Sequence, residues 1–142
     1  MLSSLLTHAD DDPQVAALAR EGGEAFVSLS LRAYLIAALT DREPQRPAIV
    51  VAGDDRAARE LAGGLRAWLA PRMVRYYPSR GVSYESHLAP PPHLVGLRIA
   101  ALDALLEGDG SGAVVVVSAV ALSEKVPDPS LRPKSFCLRR GD

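Results

Sequence analysis

The sequence predicts an α/β fold with a mostly parallel sheet and helices on both of its faces. Strand-like and helix-like segments alternate along most of the chain, and such alternation places successive strands in one parallel sheet. The segment "AVVVVS" (113–118) holds four consecutive valines, which favours a strand that is buried on both sides. With 142 residues, 48% of them hydrophobic, the chain is long enough for one domain with a substantial core.

The first elements are predicted from a cap and from two apolar runs. Asp12 and Pro13 are typical of a helix N-cap and a first-turn proline, so a short helix is expected over about 12–21. The segment "AFVSL" (25–29) is predicted to be a buried strand that leads into a helix over 31–42. The residues expected on the inner side of that helix are Leu31, Tyr34, Leu35, Ala38 and Leu39.

The remaining elements continue the alternation. We expect strands over 48–52, 73–78 and 113–118, and helices over 56–70, 93–108 and 119–126. The strand "MVRYYP" is mixed in character and is placed near an edge of the sheet. The inward-facing residues are predicted to be Leu61, Leu65, Trp68 and Leu69 on one helix, and Leu94, Leu97, Ile99, Ala101, Leu102 and Leu105 on another.

Charge and cysteine content narrow the classes of function. Sixteen Lys and Arg residues against seventeen Asp and Glu residues give a net charge of -1, which argues against a free-standing nucleic-acid binder. The single cysteine, Cys137, excludes an internal disulfide and fits a reducing compartment. The N-terminus lacks a basic leader, and the longest apolar run (112–122) is too short to span a bilayer as a helix. We therefore expect a cytoplasmic protein with no membrane partner.

The junction between the first predicted strand and its helix lacks a phosphate-binding loop. Such a loop needs glycine amides around the phosphates, a lysine for their charge and a hydroxyl for magnesium. Arg32 stands at the lysine's place and Ala33 at the hydroxyl's, while Phe26, Leu29 and Leu31 take the places of glycines. We expect Leu29 and Leu31 to pack in this turn, so no cofactor-binding residue is predicted. The position of the missing loop is Ser30, Leu31, Arg32 and Ala33.

Three other motifs give little indication of a catalytic, metal or phosphate site. Ser83, Glu85 and His87 alternate, but no strand–Ser–helix elbow surrounds the serine, so hydrolase chemistry is disfavoured and no catalytic residue is predicted. His87 and His93 have no carboxylate or cysteine partner at ligand spacing, so no metal site is predicted. The glycine-rich "GDGSG" (108–112) precedes a strand, which indicates a turn rather than a phosphate site.

One segment combines arginines with aromatic residues. Such interleaving is typical of some single-strand nucleic-acid surfaces, although a solvated loop beside the end of the sheet explains it more simply. Arg80, Tyr84 and Arg98 are the candidate contacts, either to nucleic acid or to another domain. The other members of the set are Arg72, Arg75, Tyr76 and Tyr77.

The same region carries a resemblance to a known family. The order of strand, proline, Tyr-Glu pair, proline-rich turn, arginine-bearing helix and "VVVVSAVAL" resembles the N-terminal region of bacterial transcription-repair coupling factors. That region is itself similar to the start of the excinuclease B subunit. The resemblance extends from about residue 21 to 142. The matching positions are Pro78, Tyr84, Glu85, Pro90, Arg98, Ala101 and Leu102.

The resemblance implies a fold and a role. Residues 1–134 would form a degenerate nucleotide-binding domain of the helicase type, similar to the first domain of excinuclease B. Residues 135–142, with Cys137 as a small apolar member, would be the truncated first strand of the next subdomain, which in the family contacts the excinuclease A subunit. The chain would be a non-catalytic fragment that packs on motor domains, with ATP and magnesium bound only there. RNA polymerase and double-stranded DNA would be partners of the longer parent, an ATP-dependent translocase in nucleotide excision repair.

Two other functions remain open from the residues alone. The chain could be a small α/β nucleotide-binding enzyme whose phosphate loop is unconventional. It could also be a nucleic-acid-binding module that uses the arginine and tyrosine segment.

Overall fold

The computed structural model shows three parallel strands enclosed by helices. It describes residues 2–83, 86–106, 112–126, 128 and 130. The strands are β1 (Ala48–Ala52), β2 (Val74–Tyr77) and β3 (Val114–Ser118). Their order is β1-β3-β2, so the four-valine strand is central and all of its residues are buried. The predictions of an α/β class, a parallel sheet and an edge position for the "MVRYYP" strand are confirmed for the described residues.

Helices occupy both faces of this sheet. One face packs against α4, which in turn packs against α3, and the buried residues there include Leu65, Val114 and Val116. The other face packs against α5 and α6 around Val115 and Val117. The helices are α1 (Thr7–Asp10), α2 (Pro13–Glu21), α3 (Leu29–Asp41), α4 (Asp55–Leu69), α5 (Pro92–Leu106) and α6 (Ala119–Ser123).

Two helices begin where their capping residues predict. The Asp12 carboxylate accepts hydrogen bonds from the amides of Gln14 (2.7 Å) and Val15 (3.3 Å) at the start of α2. Asp54 accepts one from the amide of Ala57 (2.8 Å) at the start of α4. These carboxylates satisfy amides that have no partner within the helix, so both starts are fixed by local sequence.

The close contact between α3 and α4 depends on a glycine inside a helix. A Cβ atom added to Gly64 would lie 2.9 Å from Cβ of Ala33, which is closer than side-chain carbons approach each other. Next to this contact, the rings of Tyr34 and Trp68 meet edge to face with their centroids 5.1 Å apart. The prediction that Trp68 faces the core is confirmed by this packing.

The amino ends of β1 and β3 are held together by an arginine from the start of β2. The Arg72 guanidinium donates hydrogen bonds to three main-chain carbonyls, those of Gly112 (2.6 Å), Thr40 (2.6 Å) and Arg46 (2.8 Å). The amide of Gly112 donates in turn to the carbonyl of Pro44 (2.9 Å). Partial burial lowers the pKa of Arg72 from its ordinary value, while the Asp41 carboxylate opposes the shift.

A Cβ atom at Gly112 would overlap main-chain atoms of Arg46. The last glycine of "GDGSG" is therefore required for this close approach. Residues 108–111 of that motif lie outside the described part of the chain.

The predicted strand over 25–29 is wrong. Residues 22–28 form no regular element, and the Phe26 side chain is 100% exposed. The apolar run pairs with none of the three strands of the described sheet, and α3 begins at Leu29. A short apolar run has no period that distinguishes a buried strand from irregular chain before an apolar helix, and only Leu29 of the predicted strand belongs to the helix.

Two further expectations need correction. Leu97 and Ile99 are 40% and 44% exposed, whereas Arg98 between them is buried. The expectation that these two aliphatic residues face the core is therefore wrong. At the N-terminus, a 3-10 helix (Leu2–Leu5) and α1 place Leu6 and Ala9 in the core, although no element was expected there. The predicted strand after residue 134, with Cys137, lies outside the described residues.

Candidate functional site

The carboxyl ends of the three strands bring polar side chains together. Open α/β sheets bind ligands at this edge, so its side chains are the first place to look for chemistry. Asp55 follows β1, Ser79 follows β2, and Ser118 is the last residue of β3. Residues far apart in the chain thus meet at one point because the strands are parallel.

Asp55 is the centre of this group. Its carboxylate accepts hydrogen bonds from the hydroxyl of Ser118 (2.7 Å) and from the amide of Ser79 (3.1 Å). The Ser79 hydroxyl donates to the other carboxylate oxygen. The Tyr76 hydroxyl donates to the main-chain carbonyl of Asp55 (3.1 Å). The Asp55 carboxylate thereby connects the ends of all three strands.

The hydrogen bonds set the protonation of this carboxylate. Partial burial would raise the pKa of Asp55, but the hydrogen bonds from Ser79 and Ser118 outweigh that effect. The pKa consequently lies below its ordinary value of 3.8. A carboxylate whose ionised form is stabilised in this way is a weak general base, which disfavours a role in activating the neighbouring serine hydroxyls.

The shift predicts a pH-dependent contribution to stability. A carboxylate with a lowered pKa in the folded state stabilises the fold above its unfolded pKa, and this contribution disappears as the pH falls through the folded pKa. We expect Asp55→Asn to destabilise the protein at pH 7 and the difference from the wild type to shrink below about pH 4. Urea unfolding of both proteins between pH 7 and pH 2.5 measures this difference. A difference that stays constant over this range would contradict the prediction.

A second polar group lies beside the first and joins α5 to the segment after α6. The Arg98 guanidinium donates to the Glu124 carboxylate (2.5 Å) and to the Pro78 carbonyl (2.9 Å). Glu124 also accepts from the amide of Arg80 at 3.0 and 3.2 Å. Only 11% of the Arg98 side chain and 18% of the Glu124 side chain are exposed, so this ion pair is largely removed from solvent.

An aromatic ring completes this second group. The Arg98 guanidinium carbon lies 4.2 Å from the centre of the Tyr77 ring, within cation–π range. Burial raises the pKa of Tyr77 above its ordinary value, and the nearby Arg98 charge opposes the shift. The tyrosine therefore stays neutral at physiological pH.

Apart from the Tyr77 hydroxyl, which is buried without a hydrogen-bond partner among the described residues, the side chains described above bond to each other and to the main chain. The Ser118 hydroxyl donates to Asp55 and accepts from the amide of Ala121 (3.1 Å), and the side chain is fully buried. The Arg98 guanidinium is engaged by Glu124 and Pro78. Such an arrangement holds strand ends and helices in place, and it offers no nucleophile beside a strong base.

The structure places the missing phosphate loop on the first turns of α3. Ser30, Leu31 and Arg32 are exposed, and Ala33 is half-buried against α4 at Gly64. Leu29 is 78% exposed and Leu31 is 52% exposed. The expectation that these two leucines pack into the turn is therefore wrong, because the helix carries them on its solvent side.

The structure brings two of the three predicted contact residues together. Arg98 and the amide of Arg80 both donate to Glu124, with Arg98 buried and Arg80 half-buried. Tyr84 and Glu85 lie outside the described residues. Ser83, His87 and His93 are exposed, the first two on irregular backbone and the third at the start of α5. Across the described ranges, no cluster of three His, Cys, Asp or Glu residues could hold a metal ion. No helix in those ranges is both long and apolar enough to cross a membrane.

Four residues of these groups escaped the sequence-based prediction: Asp55, Ser79, Ser118 and Glu124. Asp55, Ser79 and Ser118 could have been found from their positions relative to the predicted strands. A polar residue at the end of a parallel strand, or within three positions after it, lies at the carboxyl edge of the sheet, where it meets its counterparts on other strands. Glu124 gave no such signal, because its partner Arg98 precedes it by 26 positions.

Comparison with known proteins found no matching family model, no matching curated protein and no matching solved structure.

Proposed function

We propose that this chain is a non-catalytic scaffold segment of a bacterial transcription-repair coupling factor. The parent would be an ATP-dependent DNA translocase that releases RNA polymerase stalled at damage and recruits the excinuclease. The proposal rests on the ordered resemblance described above, and the alternation of three parallel strands with helices between residues 48 and 123 is compatible with it. ATP and magnesium would bind to the motor domains of the parent. The excinuclease A subunit would bind to the subdomain that follows this one.

The proposal that the chain is non-catalytic rests on the residues at the start of α3. A phosphate cradle requires main-chain amides that a phosphate can approach closely, and glycines make that approach possible. Between Gly23 and Gly53 the sequence has no glycine. Instead, exposed leucines at 29 and 31 surround the helix N-terminus, and Arg32 is the one cation in its first turns.

The carboxyl edge of the sheet supports the same conclusion. In a working nucleotide-binding domain, polar residues at this edge are aimed at the ligand. Here the Asp55 carboxylate accepts from Ser79 and Ser118, and the Glu124 carboxylate accepts from Arg98 and Arg80. Internal hydrogen bonds thus take up the groups that a nucleotide or metal would need.

Nucleotide titration tests the non-catalytic role. We expect calorimetry of the 142-residue chain with MgATP to show no saturable heat, since no cradle surrounds the α3 terminus. A known P-loop ATPase in the same buffer serves as the positive control. Binding with a dissociation constant on the order of 1 μM, weakened by Arg32→Ala, would overturn the proposal and favour the nucleotide-binding enzyme.

Two further measurements test whether the chain is a segment of a coupling factor. Replacing only the first domain of a coupling factor by this chain, with the excinuclease-binding subdomain left in place, should preserve both RNA polymerase release and excinuclease recruitment. Loss of recruitment in a chimera that still releases polymerase would count against the scaffold role.

Titration of the chain with labelled single-stranded DNA should give no binding signal. Salt-dependent binding that Arg80→Ala or Tyr84→Ala weakens would favour the nucleic-acid-binding module instead.

A further inference from the structure

Three exposed arginines border β2, the strand at one edge of the described sheet. Arg75 belongs to β2 itself, and Arg59 and Arg66 belong to α4, which packs against β2. Residues seven positions apart lie about two turns from each other on the same face of a helix. Arg59 and Arg66 therefore follow the side of α4 that meets β2. We call these three residues the arginine strip.

Neutral groups of β2 hold two guanidinium groups of the strip in place. Nε of Arg66 donates a hydrogen bond to the main-chain carbonyl of Val74 (3.2 Å). The guanidinium carbon of Arg59 lies 5.7 Å from the centre of the Tyr76 ring, within cation–π range. Burial raises the pKa of Tyr76, so the ring is uncharged at neutral pH. These contacts position both cations without cancelling their charge, which reduces the entropy that a bound anion would have to overcome.

No carboxylate of the described residues forms an ion pair with the strip. The ion pairs in that part of the chain use five other arginines: Arg20, Arg42, Arg46, Arg56 and Arg98. Glu60 directly follows Arg59 in the sequence, but it pairs with Arg56 instead (3.0 Å). The strip thus holds three positive charges without a described counter-charge, in a chain whose net charge is -1.

The residues outside the described part of the chain offer few anions to the strip. Their longest stretch, 131–142, has one acidic residue and four basic ones: Arg132, Lys134, Arg139 and Arg140. The shorter stretches contain three acidic residues: Glu85, Glu107 and Asp109. The long stretch is therefore unsuited to neutralise the strip, and the three remaining carboxylates require a direct test.

We propose that the arginine strip binds an acidic segment of another polypeptide. A guanidinium group forms two parallel hydrogen bonds with a carboxylate, and arginine is enriched among the residues that dominate protein interfaces. Two or three Asp or Glu side chains on the partner would match the three cations. The proposal rests on the contacts and charges around β2 alone, so it stands or falls independently of the proposed function.

A nucleic acid is a less suitable occupant of the strip. Proteins whose nucleic-acid binding depends strongly on salt make about 6–10 phosphate contacts, whereas the strip provides three cations. The net charge of -1 also gives the chain no long-range attraction for a polyanion.

A second copy of the chain is less suitable as well. Its exposed acidic run is Asp10–Asp12, and two of those carboxylates already have partners. Asp12 accepts hydrogen bonds from amides of α2, and Asp10 lies 3.6 Å from Arg42. A different polypeptide with free carboxylates is therefore favoured.

Titration with a labelled acidic peptide tests the proposal. The probe is fluorescein-labelled Gly-Asp-Glu-Asp-Glu-Asp-Gly, and the control peptide replaces each Asp by Asn and each Glu by Gln. Fluorescence anisotropy with the full chain at low ionic strength should show saturable binding of the acidic peptide. Added salt should weaken this binding, because the interacting charges are exposed. The control peptide should not bind.

Single substitutions locate the binding. Arg59→Gln, Arg66→Gln and Arg75→Gln should each weaken it by about fivefold or more. Arg20→Gln is the matched control, because it removes the same charge from an exposed residue of α2 and should change the affinity by less than about twofold. Circular dichroism shows whether each variant folds. If Arg66→Gln fails to fold after losing its bond to Val74, the exposed Arg75 decides through Arg75→Gln.

Two results with the peptide would overturn the proposal. One is the absence of saturable binding, or binding that all three strip variants retain. The other is tighter binding by about tenfold in a variant that combines Glu85→Gln, Glu107→Gln and Asp109→Asn. Carboxylates of the chain itself would then occupy the strip.

Two results without the peptide would also overturn it. Binding of labelled single-stranded DNA that Arg59→Gln weakens would make a nucleic acid the occupant. Self-association in sedimentation experiments at low salt that both Asp11→Asn and Arg59→Gln remove would make a second copy the occupant.

Discussion

Arg98→Met is expected to lower the free energy of unfolding by about 3–5 kcal/mol. The substitution leaves the Glu124 carboxylate largely buried without its cation, and it leaves the Pro78 carbonyl without its donor. Domains of this size have only about 5–15 kcal/mol of total stability, so the loss is severe. Urea unfolding followed by circular dichroism measures it. Glu124→Gln should also destabilise the fold, because Arg98 then loses its counter-charge.

An exposed ion pair provides the matched control. Arg56 and Glu60 are also joined by a 3.0 Å contact, one helical turn apart on α4, but both side chains lie in solvent. Arg56→Met should leave the unfolding midpoint nearly unchanged, because water and salt screen such a pair. Equal effects of Arg56→Met and Arg98→Met would show that burial does not determine the contribution of Arg98.

Gly112→Ala is the second substitution with a large expected effect, a loss of about 3 kcal/mol or more. The added methyl group would overlap the main chain of Arg46, which is itself held by Arg72. The overlap involves backbone rather than a movable side chain, so the loop before β1 has to shift and its hydrogen bonds have to break. Thermal and urea unfolding of the variant measure the loss.

A glycine in α4 is the control for this change. Nothing lies within 4 Å of a Cβ atom added to Gly63, which is on the exposed side of the helix. Gly63→Ala should therefore stabilise the protein by about 0.5–1 kcal/mol, because alanine has the higher helix propensity. Destabilisation by Gly63→Ala comparable to that by Gly112→Ala would contradict the steric explanation.

The sequence predicted correctly the elements that are determined by their own residues or by immediate neighbours in the chain. The four valines of β3 favour a doubly buried strand, and Asp12 begins α2 through hydrogen bonds to amides two and three positions later. These features need no information from distant residues. For the same reason the α/β class and the edge position of β2 could be predicted correctly.

The wrong predictions concern segments whose conformation or burial depends on residues far away in the sequence. The run at 25–28 is apolar enough for a strand, but strand formation also requires that the chain bring the run beside another strand, and none of the three described strands pairs with it. On α5, periodicity favoured Leu97 and Ile99 over Arg98. The arginine is buried because Glu124 lies across from it, and a contact over 26 positions leaves no trace in the helix pattern. The Asp55 group depends in the same way on parallel strands meeting at one edge.

The three carbonyls bound by Arg72 have a consequence for how the molecule opens. They belong to the end of α3, the approach to β1 and the approach to β3, at Thr40, Arg46 and Gly112. Because one side chain binds all three, displacement of any one segment removes a partner from the guanidinium that holds the other two. We therefore expect the amides at the amino ends of β1 and β3 to exchange with similar protection, which Arg72→Met should lower at both ends.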